Sequence, residues 1–130
     1  MKQEDLKKLI RIFKKYPQIK LVYFFGSKAE GNSGPMSDYD FAFYLDERDS
    51  KKVFDLKFKL NDEISRVLKT DKIDLVMLDI TRSSELKYDV IKNGKLIFER
   101  EPYKVLVEPK ILNEYFDFMI MLRKYNLTKA

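Results

Sequence analysis

From Asp5 to Tyr16 the apolar residues Leu6, Leu9, Ile10 and Phe13 recur at the i, i+3, i+4, i+7 spacing of one helical face, and Lys7, Lys8, Arg11, Lys14 and Lys15 fill the other side. That opposition predicts an amphipathic surface helix, ended by Pro17, which disfavours helix at the residue before it. Ile19 to Phe25 is a nearly continuous apolar run, short enough for a strand buried on both faces. It stops at Gly26. Residues 26–37, GSKAEGNSGPMS, hold three of the four glycines of the chain and read as a loop. Asp38 to Leu45 predicts a second strand, closed by the charged turn DERDS. Lys51 to Lys69 returns to helical spacing through Val53, Leu56, Leu60, Ile64 and Val67, and Ile73 to Ile80 reads as a third strand. Thr81 or Ser83 can cap a short helix that Asn93-Gly94 stops, and Lys95 to Glu99 is a short fourth strand. After Pro102 a last helix carries Ile111, Tyr115, Phe118 and Leu122 on one stripe, interrupted or entered near Pro109.

Helices and strands alternate without repeats, linkers or low-complexity tracts, so the fold class is α/β (α+β), a small mixed sheet flanked by helices. At 130 residues the chain fits a single domain, 1–130, with one core. The last helix has more large apolar residues than one stripe needs. Tyr115, Phe116, Phe118, Met119, Met121 and Leu122 suggest a contact surface for a partner or a second copy of the chain, a homo-oligomer.

Composition narrows the chemistry. There is no cysteine, which excludes disulfides, thiolate metal sites and cysteine nucleophiles, and no histidine, which removes the commonest imidazole base and ligand. Any site is built from carboxylates, lysine, arginine, hydroxyls and backbone. Such oxygen ligands suit magnesium, manganese or calcium rather than zinc or copper. With no secretory signal and no run long enough for a membrane span, the expectation is a cytoplasmic protein with no membrane contact. The formal charge of +5 and pI near 9.2 allow attraction to polyanions. Taken alone, a modest lysine excess reads as a solvated surface, and nucleic acid is not the expected partner.

One constellation carries chemistry. Gly26 and Ser27 follow a buried strand, Asp38 opens the next strand and Asp40 lies two residues on, a spacing of G-S-x10-D-x-D. On a strand, residues i and i+2 share a face about 6.6 Å apart at Cα, so both carboxylates look into one space. Two carboxylates about 4 Å apart repel by about 4 kcal/mol at an effective dielectric near 20, equivalent to about three pKa units. A divalent cation removes that conflict and makes the pair a phosphate-handling site. Asp74, at the start of another apolar strand, is a third carboxylate if that strand lies beside Asp40. Gly26 lets phosphate oxygens approach the backbone, Ser27 can donate to them, and Lys28 can add positive charge. Four fixed residues would coincide by chance on the order of once in a thousand chains of this length. Ser27 could instead cap a turn and Asp38 could be an ordinary turn aspartate. Asp40, flanked by Tyr39, Phe41 and Phe43, opposes strand propensity and is harder to explain as scaffold.

The run VYFFGSKAEGNSGPMSDYDFAFYL resembles the signature of the nucleotidyltransferase superfamily that includes DNA polymerase β, specifically its minimal nucleotidyltransferases. IDLVMLD resembles the family's strand with the third carboxylate, KNGKLIFE its late strand and EYFDFMIMLRKY its last helix. The resemblance implies the polymerase β-like fold and a magnesium-dependent transfer of a nucleoside monophosphate, often AMP from ATP, with release of pyrophosphate. It implies that Gly26 and Ser27 hold triphosphate, that Asp38 and Asp40 bind metal, and that Asp74 is the third carboxylate near the acceptor, with two Mg2+ ions. Lys28 and Glu30 stand where members commonly carry arginine. Minimal nucleotidyltransferases are frequently paired with a separate helical HEPN toxin, and some transfer AMP to a tyrosine of that toxin as its antitoxin. A protein adenylyltransferase acting as antitoxin is therefore the leading expectation. The alternatives are a binding module that neutralises its partner by contact, a small-molecule nucleotidyltransferase of the aminoglycoside kind, and an RNA-tailing enzyme.

Overall fold

In the computed structural model, residues 1–31, 34 and 37–125 are described. Positions 32, 33, 35 and 36 of the glycine loop lie outside them. The elements are α1 (Gln3–Lys14), β1 (Ile19–Phe25), α2 (Ser27–Glu30), β2 (Tyr39–Leu45), α3 (Ser50–Leu68), β3 (Ile73–Met77), α4 (Ser84–Asn93), β4 (Lys95–Glu99) and α5 (Tyr103–Lys124). The strands form one sheet in the order β3-β2-β1-β4. β1 is antiparallel to both β2 and β4, while β2 and β3 are parallel, joined by the α3 crossover.

The alternation of each strand sorts side chains into two layers. Val22, Phe24, Phe41, Phe43, Leu75 and Met77 face α1 and α3, where Phe13 meets the ring of Phe43 edge-on at 5.5 Å. Leu21, Tyr23, Phe25 and Ala42 face α4 and α5, meeting Val90, Val107 and Ile111. Arg100 straps the first layer shut: its guanidinium donates to the carbonyls of Ile19 (2.9 Å) and Lys14 (3.2 Å), the latter an open carbonyl at the end of α1. Asp49 caps α3 by accepting from the Lys51 N–H, and Ser83 caps α4 by accepting from Leu86.

Three sequence expectations are corrected. Residues 27–30 of the expected loop form a turn of helix, closed by Gly31 in the left-handed region (φ +79°), which a side chain would disfavour. The third strand ends at Met77 rather than Ile80, because the chain turns there and exposes Ile80 while burying Leu78. Pro109 lies inside α5 and does not interrupt it. Phe116, Ile120 and Met121 of α5 are exposed. Among the described residues no helix is long and apolar enough to cross a membrane.

Candidate active site

β1 delivers Gly26 to a turn only glycine makes cheaply, with φ +80° and ψ −169°. The Gly26 carbonyl then accepts from the Ala29 and Glu30 N–H groups, each at 3.1 Å, and starts α2. The missing side chain has a second use. A Cβ on Gly26 would lie 2.2 Å from Oδ2 of Asp40, so the turn and the carboxylate occupy adjoining space. That space, expected from the sequence to admit phosphate, also seats Asp40.

Asp40 pairs across the sheet with Phe25 on one side and with Asp74 on the other. The parallel register therefore puts two carboxylate residues side by side on the face turned toward α4 and α5. Asp38 stands one residue ahead of β2 and is exposed, so its direction is not set by the pleat. The Asp40 carboxyl is nonetheless raised above its ordinary range, first by burial, then by the charge of Asp74 and then by that of Asp38. The three aspartates thus act on one another, although among the described residues no three acidic side chains stand close enough to share one ion. The donors are all oxygen, and the conflict on Asp40 is the kind a hard divalent cation relieves, so the residues fit such an ion.

Lys28 is placed differently from the other nucleotide-binding candidates. Its ammonium lies 4.7 Å over the ring of Tyr39, which packs into the α1/α3 layer, on the face opposite Asp40. Tyr39 was not singled out by sequence reasoning; its only signal was its place beside Asp40, one residue out of phase.

Two further features were invisible in the sequence. The buried hydroxyl of Tyr23 donates to Glu108 of α5 at 2.5 Å, and burial, then that bond and the charge of Glu108, raise the phenol well above its ordinary value. At the far end of the same face, Tyr44, Asp79, Lys87, Tyr103 and Glu114 line a cavity of about 240 Å³. It contains none of the three aspartates.

Residues 7–103 match the family model described as Polymerase beta, Nucleotidyltransferase. The chain belongs to this nucleotidyltransferase family. Among curated relatives, this nucleotidyltransferase is 31% identical over 96 residues to protein adenylyltransferase MntA of Aphanizomenon flos-aquae (strain 2012/KM1/D3). The matched stretch takes in 69% of this chain and 63% of that protein, so the chain spans less than two thirds of the relative's length. Among solved structures it is similar to a chain of a toxin–antitoxin crystallised with AMP-PNP, at a TM-score of 0.74 and 23% identity, covering 96% of this chain and 95% of that one. It is also similar to a chain of the tri-AMPylated Shewanella oneidensis HEPN toxin in complex with MNT antitoxin, at a TM-score of 0.72 and 22% identity over 96% and 95% of the two chains. These likenesses show the fold, the polymerase β-like nucleotidyltransferase fold that the sequence resemblance implied.

Proposed function

We propose that residues 1–130 act as one cytoplasmic protein adenylyltransferase, transferring AMP from ATP to a tyrosine of a separate HEPN toxin and so serving as its antitoxin. The observation that carries this reading is the pairing of Asp40 with Asp74 across β2 and β3, beside a glycine turn that meets Asp40. The names of the relatives support it: one is a protein adenylyltransferase, and another structure holds an AMPylated HEPN toxin with its MNT antitoxin.

In this reading Asp38, Asp40 and Asp74 would hold two Mg2+ ions between them. Bound there, magnesium neutralises triphosphate oxygens and lets the carboxylates stand together ionised. Gly26 and Ser27 take the phosphates against the backbone, leaving the α-phosphorus open to in-line attack. The acceptor hydroxyl oxygen forms the new bond to that phosphorus, the bond to the bridging oxygen breaks, and pyrophosphate leaves. Asp74 accepts the hydroxyl proton.

The test is incubation with magnesium, labelled ATP, the proteins encoded beside this chain and a HEPN toxin of a related pair. Label on a tyrosine of a HEPN toxin is expected; label on RNA alone would overturn the reading. A second reading, neutralisation by contact, draws on Lys28, held on Tyr39, and on Glu30, exposed where an arginine is common. It requires that Asp40→Asn neutralise the toxin as well as the parent chain does.

A further inference from the structure

The net charge of the chain is unevenly spread. Residues 2–15 and 49–69, which make up α1, α3 and their flanks, carry twelve Lys and Arg against six Asp and Glu. Their net charge of +6 exceeds the +5 of the whole chain, so the remainder is slightly acidic. Both helices cover the same face of the sheet, and all twelve cations are exposed. Three of the six acids are engaged: Asp62 pairs with Arg66 at 3.0 Å, Glu63 accepts from both Lys15 and Tyr16, and Asp49 caps α3. Among the described residues, the other ten cations, Lys14 and Lys59 among them, have no carboxylate within ion-pair distance.

Two aromatic rings stand in this basic layer without burial. Phe54 is 68% exposed and Phe58 71%, on the flank of α3 that faces away from α1, and Lys57 lies between them in a hollow of about 420 Å³. At the other end of the layer, Lys2, Lys8 and Lys69 line a hollow together with Glu4, Asp5 and Tyr39, the ring that holds Lys28. The basic surface therefore reaches the end of the sheet where Asp40 begins.

We infer that the α1/α3 face binds single-stranded nucleic acid, with lysines on the phosphates and Phe54 and Phe58 as stacking platforms for bases. Unpaired lysines at this density disfavour a protein partner, because lysine is depleted from protein–protein interfaces. Exposed rings beside exposed cations match the two components of single-strand binding. Composition alone argued against nucleic acid; the placement of the charges reverses that.

The test is fluorescence anisotropy of a labelled oligouridine long enough to span both helices, without ATP or metal, so that the result is independent of AMP transfer. If about five phosphates are neutralised, the log-log salt slope is about −3.5 and affinity falls on the order of 10² between about 50 and 200 mM salt. Lys7→Glu/Arg11→Glu/Lys59→Glu should weaken binding by at least about tenfold, and the milder glutamine triple by less. Lys104→Glu/Lys110→Glu/Lys124→Glu on α5 changes net charge equally and should leave affinity within about twofold. Phe54→Ala/Phe58→Ala should lose on the order of tenfold at an unchanged salt slope. Equal losses from the two glutamate triples, no binding at the lowest salt, or capture by phosphatidylserine vesicles that oligouridine fails to displace would overturn the inference.

Discussion

On the α1/α3 side of the sheet seventeen apolar residues are buried in one cluster, and Leu9, Phe13, Ile19, Val22, Phe41, Phe43, Leu60 and Ile64 have no exposed surface. On the α4/α5 side the corresponding cluster has eight, and it gives way at one end to Gly26, Asp40 and Asp74. Burial scales with stability, so the larger cluster supplies most of the hydrophobic driving force. The smaller one leaves room for groups whose burial costs free energy. The same four strands serve both, because each alternates between an apolar layer and a layer that can carry carboxylates.

The largest effect expected from this contrast is on folding. Phe13→Ala removes a ring wedged against Phe43 and Phe98 and should cost about 3–5 kcal/mol in denaturant unfolding, against about 2 kcal/mol for Ile111→Ala in the α4/α5 layer. Equal losses would break the asymmetry.

Gly26→Ala should act on the site instead. The added methyl strains a turn at φ +80° and meets Asp40, so magnesium-dependent ATP affinity measured by calorimetry should fall by on the order of 10². Unchanged ATP affinity would show that neither the turn nor the seating of Asp40 matters to nucleotide.

Within the carboxylates, Asp40→Asn should weaken both nucleotide binding and transfer. Asp74→Asn should keep ATP affinity within a few-fold while transfer falls by roughly 10². If Asp74→Asn bound nucleotide as poorly as Asp40→Asn, the division between the two strands would be wrong.

The smallest effect concerns the Tyr23–Glu108 bond beneath α5. Tyr23→Phe leaves Glu108 without its donor and should cost about 1–2 kcal/mol near neutral pH. The folded state holds the Tyr23 proton more tightly than the unfolded chain does. That stabilisation is complete below the unfolded phenol value near 10 and is lost as pH rises toward the folded one. The gap between parent and variant should therefore stay constant up to about pH 10 and close above it; a gap that widened in alkali would refute the assignment.

Long, strongly patterned segments were legible. Ile19–Phe25 is a strand with the bounds its apolar run suggests, and the cluster Val53, Leu56, Leu60 and Ile64 is the buried stripe of α3. Four residues are too few to show a helical period, which hid α2 inside a glycine-rich segment. IDLVMLDI reads as one strand because hydropathy does not register the turn after Met77. Of the site, the residue set came from spacing, but the contact of Gly26 with Asp40 and the parking of Lys28 on Tyr39 depend on how β1, β2 and α2 meet in space. No local pattern encodes those meetings.

The parallel pairing of β2 with β3 has a further consequence, for tolerance to sequence change. Asp40 and Asp74 are separated by the whole of α3 along the chain, yet their relation is held by backbone hydrogen bonds of adjacent strands. A slip of one residue would turn Asp74 into the apolar layer and Leu75 out of it, a change that the packing of both faces opposes. Surface residues of α3, and the turns that flank it, can therefore diverge without moving either carboxylate. The crossover is thereby released to carry an unrelated surface, and in this chain that surface is basic.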